Sequence, residues 1–389
     1  MPVALTFENQ GPLELADGKL EQLQPLLVST LVPPAPSKDA EDEDPDGHTV
    51  WMTTATSQAQ YHAHKGWPFP LPKLPKNKLV VRPTEDGAGL GVFATDDIKR
   101  YEPVLVERPF LIYAQENSVL PIPSEGVKEL SESQIAQMLM KKSEEAFRCA
   151  IEQQFSAKAK EEFMSLANSH LDDGSGPVLG IVRTNGFAIK FGERLPGVDE
   201  EFRGGYAAVS RIGSRLNHSC IPDVVFGFDP ATFSMRFTAV RDIKAGSQIH
   251  TSYTTVTAPK LTRQKALSAY GFECHCRACL QSTPQSDKLR QVCHKLTQLW
   301  RNQAINVWPK DLKLTEKVLV PVLETKRRME EDGLDFDDAG YCFFPEILHR
   351  VYKCVGNKEK EREAFELTRE TVRGMIEAAG WRSGVNLLG

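Results

Sequence analysis

The spacing of hydrophobic residues changes along the chain and separates strand-forming from helix-forming segments. Short runs rich in β-branched and aromatic residues predict strands at 79–83, 103–107, 110–113, 224–228, 235–240 and 249–253. Apolar residues three or four positions apart predict helices at 127–170 and over most of the chain after residue 284. The pattern predicts an α+β protein with a helical insertion between two groups of strands and a helical C-terminal domain.

The first 77 residues lack this regularity, and we predict that they form a largely disordered or extended arm. The acidic run at 41–47 and the prolines before it offer little apolar surface to offset the entropy of ordering. The proline-rich segment 66–72 carries Trp67 and Phe69, so it is either a linker or an arm packed on the domain through these two rings. The packed arm is the favoured alternative.

Composition excludes several classes of protein. The 389 residues suffice for two or three domains of about 150 residues each. A net charge of −5 and the lack of a long basic block argue against direct binding of nucleic acid. No apolar run approaches the roughly 18 residues of a membrane-spanning helix, and the first residues lack the pattern of a secretory signal. We expect a monomer that does not bind membranes.

The eight cysteines are unevenly distributed, with none before Cys149. Three of them form a C-x-C-x-x-C run, and the lone Cys220 offers a fourth thiolate for a closed, structural zinc site. Rival ligands are His218 and His275, and a further alternative is that the cysteines are reactive or buried thiols without a metal. The predicted zinc ligands are Cys220, Cys274, Cys276 and Cys279. Thiols in this arrangement suit a reducing compartment, so we expect the cytoplasm or the nucleus.

Four motifs together resemble a known family. They are a glycine turn at 87–94, the segment 184–189, the N-H-S-C string at 217–220 with the G-x-x-I-x-x-S-Y string that ends at Tyr253, and the Y-G-F-x-C-x-C-x-x-C string at 270–279. In this order they resemble the SET-domain protein lysine methyltransferases, most closely the SET-and-MYND group and its fungal relatives. The resemblance implies a β-clip of short, mostly antiparallel strands.

The same resemblance implies an organisation along the chain. A SET domain would occupy residues 78–254, with its helical insertion at 127–180. A post-SET zinc-binding segment would follow at 255–285 and a helical domain at 286–389. The MYND zinc module is not expected, because no cysteine lies between the glycine turn and Cys149.

S-adenosylmethionine is the cofactor that the resemblance implies. Backbone atoms of the glycine turn would contact its methionine part. An asparagine side chain would hold the methionine end and a histidine backbone the adenine end. An aromatic ring would pack on the adenine face. The implied cofactor-binding residues are Gly87, Ala88, Gly89, Asn185, Asn217, His218, Tyr253 and Phe272. For the imidazole of His218, a buried histidine held by a strand carbonyl is the slightly favoured alternative.

Tyr253 is the predicted catalytic residue, and Tyr270 is predicted to form the second wall of a lysine channel. Methyl transfer from a sulfonium requires a lone pair aligned with the methyl carbon. A lysine amine has a reference pKa near 10.4, so its neutral form costs about 4–5 kcal/mol at pH 7. An apolar channel lowers that cost by desolvating the ammonium, and a tyrosine hydroxyl can orient the amine. The alternative is an ordinary strand tyrosine with a solvated hydroxyl.

These considerations predict a protein-lysine N-methyltransferase that uses S-adenosylmethionine and acts on a histone or another protein. Three positions depart from the family pattern, namely Asp223, Gln248 and His250. The first two motivate the alternative of a catalytically weak SET scaffold that acts as an interaction module. A zinc-dependent DNA reader is poorly supported, since the chain lacks a basic recognition helix.

Overall fold

Strands of three small sheets surround one core, and helices cover two sides of it. The computed structural model describes residues 3–4, 27–34, 44, 46–114, 131–189 and 205–383. The strands are β1 (Val3–Ala4), β2 (Leu27–Val32), β3 (Thr49–Thr54), β4 (Leu79–Pro83), β5 (Leu90–Ala94), β6 (Pro103–Glu107), β7 (Leu111–Ala114), β8 (Gly186–Ile189), β9 (Tyr206–Val209), β10 (Asn217–His218), β11 (Val224–Asp229), β12 (Ser234–Ala239) and β13 (Gln248–Thr251). The helices are α1 (Ala55–His62), α2 (Glu132–Gln154), α3 (Ala157–Met164), α4 (Pro177–Asn185), α5 (Lys260–Leu267), α6 (Arg277–Leu280), α7 (Pro284–Asn302), α8 (Val320–Glu331), α9 (Phe344–Val355) and α10 (Lys358–Ser383).

The sheets are built from short strands that pair mainly antiparallel, as the α+β prediction requires. The largest sheet has the order β1-β2-β3-β7-β9-β8, the second β10-β13-β5-β4 and the third β11-β12-β6. Among the named strands, only β3 with β7 and β10 with β13 pair in parallel. The second parallel pair places Asn217 opposite His250 and His218 opposite Thr251. It therefore brings the N-H-S-C string beside the strand that leads to Tyr253.

Strand β3 separates two hydrophobic cores, because successive side chains of a strand point to opposite faces. Trp51 packs into the core between the sheets, whereas Val50 and Met52 pack against the helical insertion. The insertion consists of α2, α3 and α4, and α2 begins with a capping box between Ser131 and Gln134. The predicted start of the insertion, 127–130, lies outside the described residues.

The helices after residue 284 form a third core of their own. Helix α7 begins with Pro284 in its first turn and a capping box between Thr283 and Ser286, the combination expected at a helix start. Helix α9 has apolar residues on one face, and it packs mainly on α10. No helix within the described residues is both long enough and apolar enough to cross a bilayer.

The predicted disorder of residues 1–77 is wrong for the described part of that segment. Strands β2 and β3 lie inside the largest sheet, and every residue of β3 is buried. Even the acidic run contributes, because Asp44 forms an ion pair with the buried Arg108 at 2.8 Å. The average composition of the segment concealed two six-residue runs, 27–32 and 49–54, that are rich in β-branched residues and have high strand propensity.

The segment 66–72 is an arm packed on the domain, which was the favoured alternative. Trp67 is buried, and its Nε1 donates a hydrogen bond to the Pro230 carbonyl at 2.8 Å. Its ring packs against Trp51 and Phe233. Phe69 is 43% exposed and contributes mainly through its backbone N–H, which donates to the Ala231 carbonyl at 2.9 Å.

Replacing Trp67 with alanine should destabilise the fold by about 3–5 kcal/mol, because it opens a large cavity among aromatic rings. Phe69→Ala is the matched control, and its half-exposed ring predicts a change of about 0.5 kcal/mol. Denaturant unfolding of both variants provides the measurement. Equal unfolding free energies for the two variants would contradict the packed arm.

Candidate active site and metal centre

Four thiols meet at the junction of two distant segments. The sulfur of Cys220 lies 3.6 Å from that of Cys279 and 4.0 Å from that of Cys274. With Cys276, the four sulfur atoms all lie within 4.8 Å of one another. His275 is exposed and does not belong to this group. Among the described residues, these thiols are the only cluster of three or more His, Cys, Asp or Glu that could hold a metal ion.

The spacing fits a tetrahedral metal and not a disulfide. Four sulfurs bonded to zinc at about 2.3 Å define a tetrahedron with edges of about 3.8 Å, which lies between the 3.6 and 4.0 Å that separate Cys220 from Cys279 and Cys274. A disulfide would require about 2.05 Å. Cys220, Cys274 and Cys279 are buried and Cys276 is partly buried, so the cluster is largely shielded from solvent. The four predicted ligands could hold a metal ion.

A buried arginine that was not predicted from the sequence borders the thiols. Arg263 lies on α5, its side chain is fully buried, and its Nε donates to the sulfur of Cys220 at 3.2 Å. The next residue, Gln264, fixes the backbone of Cys274 by donating to its carbonyl at 2.8 Å and accepting from its N–H at 3.0 Å. Helix α5 therefore holds both ligand segments.

His218 connects the thiols to Tyr253. The backbone N–H of Tyr253 donates to Nδ1 of His218 at 3.0 Å, so the ring proton is on Nε2, which lies 3.3 Å from the sulfur of Cys220. The imidazole is thus held by a backbone amide and a thiol, and not by the strand carbonyl that the alternative predicted. Burial lowers the pKa of His218 to about 4, which keeps the ring neutral.

Tyr253 and Tyr270 line a cleft of about 560 Å³. Their ring centroids are 4.8 Å apart, and Phe187 and Phe226 also line the cleft. The hydroxyl of Tyr253 donates to the carbonyl of Leu216 at 2.7 Å. Burial, and next the neighbouring Tyr270, raise the pKa of Tyr253 above its usual value, so the hydroxyl remains a donor at neutral pH.

The glycine turn lies beside Asn217. The side-chain amide of Asn217 donates to the carbonyl of Leu90, the residue that follows the predicted Gly87, Ala88 and Gly89. Gly87 and Gly89 have φ angles of +78° and +85°, a conformation that favours glycine. No atom lies within 4 Å of a Cβ built at either position, which leaves open space above the turn.

Asn185 and Phe272 approach Tyr253 in different ways. Asn185 ends α4 and lines the cleft, but its side-chain amide donates to the carbonyls of Ala167 and Ile181, both at 2.7 Å. Phe272 is 39% exposed, and its ring centroid lies 6.5 Å from that of Tyr253. Of the two, only the Phe272 ring presents a free surface.

Glu107 is a second residue that the sequence did not indicate. Its buried carboxylate accepts a hydrogen bond from the hydroxyl of Ser210. It also accepts from the backbone N–H groups of Ile212 and Gly213, both at 2.9 Å. Burial raises the pKa of this carboxyl, whereas the donated hydrogen bonds favour its ionised form. Glu107 thereby fixes the turn that leads into Leu216.

Two of the three residues that depart from the family pattern, Asp223 and His250, contact each other. The carboxylate of Asp223 accepts from the backbone N–H of His250 at 2.9 Å and lies 3.1 Å from Nδ1 of the same residue. Gln248 lies close to Gly91, where a Cβ would be 2.7 Å from its side-chain nitrogen. These changes are accommodated by one another and by a glycine, and they leave the contact between Tyr253 and Leu216 in place.

Comparison with known proteins identifies the domain. A model of the SET domain matches residues 89–254, which include Asn185, Asn217, Cys220 and Tyr253. The chain carries a SET domain. The match ends before the thiols at 274–279, so the thiol cluster joins one cysteine of the matched residues to three that follow them.

Several relatives of this SET domain are named as lysine methyltransferases. The histone-lysine N-methyltransferase set5 of Schizosaccharomyces pombe is 32% identical over 187 residues, 45% of this chain and 52% of that protein. The N-lysine methyltransferase SMYD2-A of Xenopus laevis is 28% identical over 202 residues, 49% of this chain and 43% of that protein. The SET domain and MYND-type zinc finger protein 6 of Schizosaccharomyces pombe is 42% identical over 66 residues, 17% of this chain and 13% of that protein. The chain spans about half the length of the first two relatives.

Proposed function

We propose that the chain is a protein-lysine N-methyltransferase that uses S-adenosylmethionine. The observation that carries this proposal is the position of Tyr253, which belongs to two groups of residues. On one side it lines the cleft with Tyr270 and donates to the Leu216 carbonyl. On the other it contacts His218 and Phe272, which do not line the cleft. Such a residue can act where a substrate and a cofactor meet.

The second group of residues suits a cofactor with an amino-acid end and a ring. When bound, S-adenosylmethionine would supply a methyl group on a positively charged sulfur. The backbone at Gly87 and Gly89 is open to a ligand, and the amide of Asn217 beside it offers both a donor and an acceptor. The exposed ring of Phe272 offers a stacking surface for a base.

The cleft suits a lysine side chain. Its aromatic walls would desolvate the ammonium and favour the neutral amine. The hydroxyl of Tyr253 and the carbonyl of Leu216 would orient the nitrogen toward the cofactor side. The substrate in this proposal is a protein that presents a lysine, and the histone named for one relative is one candidate.

Zinc is the metal that we propose for the four thiolates, because a closed site of four sulfurs suits this ion in a structural role. The ion would hold the segment 274–279 against Cys220 and so place Tyr270 and Phe272 around Tyr253. Reduced thiols favour a reducing compartment, so we propose the cytoplasm or the nucleus as the location.

Transfer of a labelled methyl group tests the activity. The purified chain is incubated with radiolabelled S-adenosylmethionine and with proteins extracted from its cell of origin, and labelled lysines are located by mass spectrometry. We expect label on lysine that depends on Tyr253. Calorimetric binding of the cofactor without any transfer would instead support the alternative of a catalytically weak SET scaffold.

Replacing Phe272 with alanine should weaken cofactor binding by about 1–3 kcal/mol, because the stacking surface for the adenine is lost. Phe365→Ala is the matched control, since Phe365 is similarly exposed at 43% and lies on α10. Titration calorimetry with S-adenosylmethionine measures both variants. Unchanged affinity in Phe272→Ala would remove this ring from the cofactor site.

A further inference from the structure

The thiol cluster has a charge that its four ligands cannot balance alone. Four thiolates and one divalent ion carry a net charge of −2, and Cys220 and Cys279 hold part of that charge away from water. A buried charge is costly unless a partner of opposite sign and hydrogen bonds accompany it. The structure must therefore supply positive charge and donors close to the sulfurs.

Arg263 supplies both. Its Nε lies 3.2 Å from the sulfur of Cys220, and its Nη2 lies 3.8 Å from the sulfur of Cys279. A guanidinium stays charged in proteins and has donors in a rigid plane. One side chain thus contacts two thiolates from segments that are 59 positions apart in the sequence.

The rest of the guanidinium is held in place by the protein. Its Nη1 donates to the carbonyl of Ala258 and lies 4.0 Å from the carboxylate of Asp287. Asp287 in turn accepts from the backbone N–H of Lys260 at 2.9 Å, at the first residue of α5. These contacts fix the orientation of Arg263 toward the thiolates independently of the metal.

We propose that Arg263 is a positioning residue that retains the metal by donating to the thiolates of Cys220 and Cys279. This inference rests on the proposed zinc site and extends it to a residue outside the ligand set. The two donated hydrogen bonds offset part of the negative charge and oppose separation of the two segments. Partners of metal ligands of this kind typically change metal affinity by about 10–100-fold when they are lost.

The rate of zinc release tests the proposal without substrate or cofactor, so its outcome does not depend on methyltransferase activity. Full-length Arg263→Met and Arg263→Lys, purified with zinc, are mixed with an excess of a chromogenic chelator. We expect release about 10–100-fold faster in Arg263→Met. Arg263→Lys should be intermediate, because lysine keeps the charge but cannot bridge two sulfurs.

Arg236→Lys is the matched control, since Arg236 is also buried and ion-paired, to Asp229, but does not contact a thiol. It should release zinc at the wild-type rate. A folded Arg263→Lys variant that releases zinc at the wild-type rate would overturn the proposal. Wild-type protein purified without metal, or the failure of both Arg263 variants to fold in the presence of zinc, would overturn it as well.

Discussion

The Cys279→Ser variant is expected to lose its metal and most of its stability. A structural zinc site contributes an apparent free energy of about 10–16 kcal/mol to the folding of small peptides. This is comparable to the total free energy of unfolding of a typical domain, about 5–15 kcal/mol. The serine hydroxyl is a poor replacement for a thiolate, and Cys279 is only 3.6 Å from the sulfur of Cys220. Metal analysis and thermal unfolding of the purified variant provide the measurements.

Cys354→Ser is the control for this experiment, because Cys354 is exposed and lies outside the cluster. It should retain the metal content and the melting temperature of the wild type. A chelator that strips the metal from the wild type should reproduce the effect of Cys279→Ser. The proposed metal site would be refuted if Cys279→Ser and Cys354→Ser held equal amounts of metal and melted together.

The thiol cluster could be predicted because few residue types can act as metal ligands. Thiols are rare, so a C-x-C-x-x-C run stands out, and only a few other cysteines can complete the set. Arg263 and Glu107 could not be predicted in the same way. An arginine in a helix and a glutamate at the end of a strand are ordinary in sequence, and their roles depend on what the fold places next to them.

Each run predicted as a strand from residue 79 onward overlaps an observed strand, although β8 and β9 of the largest sheet lie outside these runs. Strands β2 and β3 were missed because acidic and proline-rich residues flank them, and because β3 pairs with β7, which is distant in sequence. The pair of Asp223 and His250 shows the same limit. Each departure was visible alone, but their contact depends on how the strands near β13 are brought together.

The cluster and the tyrosine form one connected unit. Cys220 lies 3.3 Å from Nε2 of His218, and Nδ1 of His218 accepts from the backbone of Tyr253. The position of Tyr253 therefore depends on the order of the thiol cluster. Under the proposed function, loss of activity after removal of the metal would follow from this connection without any role of the thiolates in the chemistry.

The Tyr253→Phe variant is expected to lose about 100-fold or more in kcat while it binds S-adenosylmethionine with wild-type affinity. Removing a hydrogen-bond donor that is already oriented at a reacting centre typically costs about 10²–10³ in kcat. The change leaves the ring in contact with Tyr270 and Phe272 but removes the hydroxyl that donates to Leu216 at 2.7 Å. Single-turnover methyl transfer and calorimetry separate the two quantities.

Tyr352→Phe serves as the control, because Tyr352 belongs to the core of the C-terminal helices and does not line the cleft. Its methyl transfer should equal that of the wild type.

The rate of methyl transfer in the wild type should rise from pH 7 to pH 9, since the neutral fraction of a lysine amine with a pKa near 10.4 increases over that range. The hydroxyl of Tyr253 keeps its proton there, because burial raises its pKa above the usual value. A Tyr253→Phe enzyme with undiminished kcat would show that the proton and lone pair of this hydroxyl are not needed, and the amine would have to be oriented by the Leu216 carbonyl alone.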